Sequence, residues 1–368
     1  MASPDSSPLD GLFSSRPGPA ESVSFSVLRK AGEPFLYLPR PAQAAACAMR
    51  LYPAQTPVAR LAKAVLRAAF QGNLPVPLER TTLPMDTGHP FVRFLSKLSG
   101  TKPVVAILAG NPEAEGRRFT ILVFAGDGTP RAVVKAGTTA AARALVEREE
   151  SFLRSVPESL RRGLPVVREG FSSDEVRAMV LDYVAGDSPR GPVRERLASM
   201  LGSWLDTNGE TSLSEIPVWQ RLVARCEAEH SFLAELGSRR VVPAMMHGDF
   251  APWNVKVSPR DGAWTVLDWE LGERMGVPGW DWFHFEIQHA VLVRRWPVAE
   301  LSRLIVRLLE SAEFRDYATR ARIAEIARPL AAAYLLYCVE IWRPTAGLER
   351  LRSLLAEQLA LARGEGRR

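Results

Sequence analysis

Between Met245 and Val257 the chain reads MMHGDFAPWNVKV. A carboxylate, Asp249, and a carboxamide, Asn254, stand five residues apart in a stretch flanked by apolar residues. Two readings compete. Gly, Asp, Pro and Asn are the usual turn formers, so the stretch could be a turn and nothing more. It could instead be a catalytic loop, with Asp249 facing a nucleophile and Asn254 facing a metal ion.

The residues that follow separate the two. NVKVSPRDGAWTVLD runs from Asn254 to Asp268, with turn chemistry at its centre in Pro259 and Asp261-Gly262. Folding the run between Arg260 and Asp261 sets Val255 opposite Val266, Lys256 opposite Thr265 and Val257 opposite Trp264. Apolar residues then meet on one face and polar residues on the other, as cross-strand pairing favours. The same register carries Asn254 and Asp268 together to the open end of the hairpin. A carboxamide oxygen and a carboxylate there are hard ligands suited to Mg²⁺, and Asp249 sits just upstream. A mere turn has no need of Asp268 at the matching position.

These residues need a scaffold. KPVVAILAG, RRFTILVFAG and PRAVVKAG read as strands, the last two joined by the hairpin signal GDGT. TAAARALVEREESFLRSV reads as a helix, and VVREGF and RAMVLDYVAG as two further strands. After Gly186 the pattern turns helical: VRERLASMLGSWL, then PVWQRLVARCEAEHSFLAEL as one helix, then three long helices after the candidate loop. Ahead of all this, VSFSVLRKAGEPFLYLPR reads as two strands. PAQAAACAMRLY and PVARLAKAVLRAAF read as helices with Pro near their starts. GNLPVPLERTTLPMDTGHP reads as a breaker-rich linker. Residues 1–22, rich in Ser, Pro and Gly, read as a disordered tail.

Composition bounds the function. A chain of 368 residues, 46% hydrophobic and 24% charged, is long enough for two lobes. The net charge of +6 suits an anionic ligand such as a nucleotide, but the basic residues form no block of the kind that grips nucleic acid, and no nucleic-acid partner is expected. Cys47, Cys226 and Cys338 are odd in number and far apart, which suggests free thiols in a reducing compartment. No stretch approaches the length of a membrane span, and the start of the chain does not read as a secretory signal. A cytoplasmic protein with no membrane partner is the expectation.

HGDFAPWN followed by VLDWE resembles the aminoglycoside phosphotransferase and choline kinase-like family, relatives of the protein kinases. The resemblance covers about residues 100–345. It implies an α+β, bilobal, protein-kinase-like fold: a small antiparallel-sheet N-lobe over 99–186 and a mainly helical C-lobe over 187–368. Residues 23–98 would form an α/β extension outside the family core, acting as a dimerisation element, a lid or a partner-docking module.

The resemblance also implies roles. Asp249 would accept or orient the proton of a substrate hydroxyl, while Asn254 and Asp268 would hold Mg²⁺. Phosphoryl transfer asks mainly for positioning and charge neutralisation, which agrees with this set. Lys135, at the end of the third strand, would meet the phosphates of ATP or GTP; its plain alternative is a solvated strand-end lysine. Of Glu147, Glu149 and Glu150, the family spacing to Leu153 selects Glu149 as its partner. Backbone around Asp182 to Val184 would bond the nucleotide base. His247 and Asp281 would brace the loop, and Trp280, Trp282, Phe283 and Phe285 would be core. One departure stands out: AGNPEAEGRR has Gly110 and Gly116 but no dense Gly-Ser run, and Glu113 and Glu115 would repel phosphate.

The expected function is phosphorylation of a small-molecule alcohol (a sugar, an aminoglycoside-like compound or an amino alcohol), with Asp187, Glu270, Glu273 and Glu286 as candidate acids for a cationic substrate. The alternative is a catalytically weak or inactive kinase-fold protein that binds or regulates. A protein kinase is disfavoured, because no Arg precedes Asp249 and about 13 residues between Asp268 and Asp281 are too few for an activation segment.

Overall fold

The computed structural model describes residues 9–13, 21–30, 32–52, 54, 56–100, 102–110, 116–344 and 346–362. They form an α+β protein of two compact units. One takes the described residues up to Arg154 together with Pro165–Gly186; the other takes Ser155–Leu164 and the chain from Asp187 onward.

The first unit is built on an antiparallel sheet of eight strands: β1 (Glu21–Lys30), β2 (Glu33–Pro39), β3 (Glu79–Met85), β4 (Val104–Ala109), β5 (Arg118–Phe124), β6 (Pro130–Gly137), β7 (Val167–Ser172) and β8 (Arg177–Asp182). Their order is β3-β1-β2-β4-β5-β6-β8-β7. β4 and β5 are apolar almost throughout because both of their faces are covered. Val105, Ile107, Phe119, Ile121 and Val123 enter one core, shared with the helices α1 (Asp10–Phe13) and α4 (Pro90–Ser99). Ala106, Leu122 and Phe124 enter a second core, shared with α2 (Ala42–Ala48) and with Leu66 and Phe70 of α3 (Pro57–Gln71).

The region ahead of β4 therefore contributes three strands to this sheet, through the pairs Leu36↔Leu108 and Tyr37↔Ile107. Two expectations for that region are corrected. The supposed linker GNLPVPLERTTLPMDTGHP contains β3, which the sheet tolerates because it is an edge: β3 pairs with β1 alone, and an edge strand can carry Pro84 without breaking an interior ladder. Of the supposed disordered tail 1–22, residues 9–13 and 21–22 are described and are ordered, and the rest lies outside the described residues. Leu9, Leu12 and Phe13 are buried, with Phe13 stacked on Phe91 at 6.4 Å, and β1 begins at Glu21. Apolar residues spaced along one short turn found a sheet face to cover, which a Ser/Pro-rich composition did not reveal.

The second unit is mainly helical. PVWQRLVARCEAEHSFLAEL forms two helices, Pro217–Arg225 and His230–Gly237, since Cys226 leaves helical backbone at φ −117 and ψ 78. Among the described residues, the region after the candidate loop holds five α-helices where three long helices were expected: Trp280–Gln288, Val298–Glu310, Ala312–Arg320, Ala327–Tyr337 and Leu348–Ala362. Trp280, Trp282, Phe283 and Phe285 are buried core residues. Among the described residues no helix is long and apolar enough to cross a membrane.

Candidate active site

The run from Asn254 to Asp268 forms the hairpin read from the sequence, with Val255↔Val266, Lys256↔Thr265 and Val257↔Trp264 in register. Its turn is closed by Ser258 N–H to Ala263 O at 2.8 Å and by Asp261 Oδ1, which accepts the Ala263 N–H at 3.0 Å. At the open end the Leu267 N–H donates to Asn254 O at 2.7 Å. Asp268, next in the chain, takes left-handed backbone at φ 65 and ψ 58. Asp tolerates that region better than most side chains, and such conformations concentrate at functional sites.

The segment before Asn254 is held from below. Asp281, near the start of the helix Trp280–Gln288, accepts the backbone N–H of His247 at 2.6 Å and of Gly248 at 3.1 Å. Gly248 stands at φ 83, and a Cβ there would meet Leu271 Cβ and O at 3.0 Å, so the turn requires glycine. His247 is fully buried. Its Nδ1 accepts the Asp249 N–H at 3.2 Å, which leaves Nε2 to donate to Leu267 O at 2.7 Å. One imidazole thus ties the loop to the hairpin. Burial pushes the Asp281 carboxyl up, against the opposing pull of His247, the two N–H groups and His284.

Asp249 itself is one-third exposed. Asn254 Nδ2 donates to its carbonyl at 2.8 Å and to Oδ2 at 3.2 Å. With its nitrogen committed to these acceptors, Asn254 has Oδ1 left to serve as an acceptor or ligand. Among the described residues no three His, Cys, Asp or Glu side chains cluster as a metal site. Mg²⁺ at nucleotides commonly uses one or two protein groups and completes its shell with phosphate oxygens and water. Asn254 Oδ1 and the Asp268 carboxylate, at one end of one hairpin, fit that small donor set.

Sequence reasoning missed His284. Its Nε2 lies 2.9 Å from Asp249 Oδ1, and its side chain is 2% exposed. Only a partial signal was present, a shared helix face. His284 follows Asp281 by three residues in one helix, so both lie on the same face.

In the first unit, Lys135 of β6 and Glu149 of α5 (Ala140–Ser155) form a buried pair, with Nζ 2.6 Å from Oε1 and 2.9 Å from Oε2. Lys135 is 6% exposed, which rules out the solvated strand-end lysine. Gly137 lets α5 come this close: a Cβ there would lie 2.5 Å from the Ala142 carbonyl carbon. Glu150 turns away to Arg154 and Arg177. Asp182 ends β8 with its carboxylate on Arg168, and Val184 is half-buried. Of the loop AGNPEAEGRR, residues 111–115, including Glu113 and Glu115, lie outside the described residues.

The sequence matches no family model and no curated protein. Among solved structures the chain is similar to small-molecule kinases. A candidate fructosamine-3-kinase from Thermobifida fusca aligns at 18% identity over 74% of this chain and 99% of its own, with a TM-score of 0.43. A choline kinase from Cryptosporidium parvum aligns at 10% identity over 71% and 91%, with a TM-score of 0.42. A macrolide 2'-phosphotransferase from Brachybacterium faecium aligns at 17% identity over 71% and 88%, with a TM-score of 0.39.

Proposed function

We propose that this chain is a phosphotransferase that moves a phosphoryl group from ATP or GTP to a hydroxyl of a small, uncharged polyol. The observation that carries the reading is the hairpin end: Asn254 is bonded to Asp249 and, through its carbonyl, to Leu267, the residue before Asp268. In this reading Asn254 Oδ1 and the Asp268 carboxylate would hold Mg²⁺, which would supply charge neutralisation for phosphate oxygens. Asp249 accepts the hydroxyl proton as the substrate oxygen bonds the γ-phosphorus and the β,γ-anhydride bond breaks, releasing ADP or GDP. Lys135, held by Glu149, binds phosphate oxygens, and backbone from Asp182 to Val184 bonds the base.

Two of the four acids considered for a cationic substrate already have cations of their own. Glu273 is bonded to Arg221 at 2.6 Å, and Glu286 stands 3.6 Å from Arg194. That pairing favours a neutral polyol over a polycation.

The test is a thermal-shift titration with ATP and GTP, each with and without Mg²⁺, on the wild type, Asp268→Ala and Asp249→Asn. A ligand at about 100 times its Kd adds about 2.7 kcal/mol, a shift of a few degrees for a chain of this size. The expected result is a Mg²⁺-dependent shift that Asp268→Ala loses and Asp249→Asn keeps. Turnover in Asp249→Asn should fall by about 10²- to 10⁴-fold. Wild-type turnover in that variant, or no shift with either nucleotide, would overturn the reading.

A further inference from the structure

We propose that His284 is a positioning residue for Asp249: its imidazole fixes the carboxylate so that Oδ2 is the atom presented to the substrate hydroxyl. The role rests on the phosphotransferase reading; the contact does not. An ionised carboxylate only accepts hydrogen bonds, so His284 Nε2 carries the proton and donates to Asp249 Oδ1 at 2.9 Å. Asn254 Nδ2 reaches Oδ2 more loosely, at 3.2 Å. The two oxygens are therefore inequivalent. Oδ1 is held by a partly buried, charge-assisted bond, and Oδ2 retains the capacity to take a proton.

A carboxylate rotates about its last torsion in a broad, two-fold potential. On a loop it would sweep both oxygens past the acceptor site. His284 prevents this because its own ring cannot turn easily. It is 2% exposed and packed edge-on by Trp342 at 4.9 Å and 77° and by Tyr334 at 6.0 Å and 76°. The helix Trp280–Gln288 thus grips the loop at two heights: Asp281 takes the backbone of His247 and Gly248, and His284 takes the Asp249 side chain one turn later. Misplacing a reacting group by about 1 Å can cost on the order of 10²-fold in rate, which sets the scale of what this grip can contribute.

The rival account is a histidine that merely fills an aromatic core. His284→Gln keeps an N–H donor at similar reach, and His284→Leu keeps apolar volume without the donor. Turnover is read as ADP release from MgATP, with and without added polyols. Nucleotide affinity is read by thermal shift. Positioning predicts that His284→Leu loses about 10- to 100-fold in kcat with unchanged nucleotide affinity, while His284→Gln recovers most of it. A core-filling role predicts His284→Leu to be at least as active as His284→Gln, and that result overturns the proposal.

NMR of histidine-labelled full-length protein supplies an arm independent of turnover. The His284 imidazole signals, assigned from His284→Gln, should shift in Asp249→Asn. Signals that do not shift overturn the contact and the proposal with it. Shifted signals in a wild type that releases neither ADP from MgATP nor GDP from MgGTP would uphold the contact and remove the phosphotransferase reading.

Discussion

Asp281 carries the loop through its two carboxylate oxygens, each on a different backbone N–H. Asp281→Asn keeps one acceptor and sets its amide nitrogen against the other N–H, a cost of about 1–3 kcal/mol for the polar group left unsatisfied. The pH dependence of that cost has a definite sign. Burial raises the folded-state value of the Asp281 carboxyl above its ordinary 3.8. A carboxyl raised by folding binds its proton more tightly in the folded chain. Its titration-linked contribution is fully present below the unfolded value and is lost as pH rises through the folded one. Asp281→Asn has no such titration. The wild-type advantage should therefore be greatest near pH 4, narrow as pH rises through the folded value and then level off. Urea unfolding of both proteins across that range measures it; an advantage that grew with pH would contradict the assignment of burial as the dominant cause.

At the scale of elements, the segment proposed to meet the nucleotide base is braced by the N-terminal strands and helices. The Tyr183 hydroxyl accepts from Arg50 Nη1 at 3.0 Å and lies 3.5 Å from Cys47 Sγ. Burial pushes the Tyr183 hydroxyl up to about 12, so it stays protonated at neutral pH. Tyr183→Phe keeps the ring and removes the acceptor of a charged hydrogen bond, which should cost about 1.5–3 kcal/mol of stability. If Asp182 to Val184 bind the base, MgATP affinity should weaken as well. Calorimetric titration of the variant separates the two effects: lower stability with unchanged affinity would mean that Arg50 and Cys47 brace the fold alone. The sequence showed elements of this kind unevenly. The hairpin register was legible because its period of two, its turn residues and its end residues all agreed. The Lys135–Glu149 pair was legible because the resemblance called for a strand lysine, which Lys135 supplied, and its spacing to Leu153 selected Glu149. His284 was not, since a helical i, i+3 pair announces a shared face but not what that face meets. The Tyr183 brace was not either, because it joins residues more than 130 positions apart by one hydroxyl.

At the scale of the whole molecule, the region ahead of β4 was read as an added module, yet it completes the sheet. Local patterns gave its strands and helices, while the β2–β4 seam rests on two residue pairs across a long sequence separation, a kind of contact that no local pattern encodes. A chain begun at residue 99 would open the β4 edge and uncover Ile107, Phe119 and Ile121, which pack with Phe25, Tyr37, Phe91 and Leu95. Such a chain is predicted to aggregate, since an open apolar edge recruits other chains. Size-exclusion chromatography of the truncated protein checks this; a monodisperse, folded product would show that the region is dispensable. The same seam has a consequence for synthesis. Roughly 65 residues separate the end of β2 from the start of β4. At about 5–20 residues per second the ribosome needs roughly 3–13 s to deliver the partner strand. Throughout that interval the nascent EPFLYLP of β2 has only β1 beside it, and its other edge depends on whatever holds newly made chains apart in the cell.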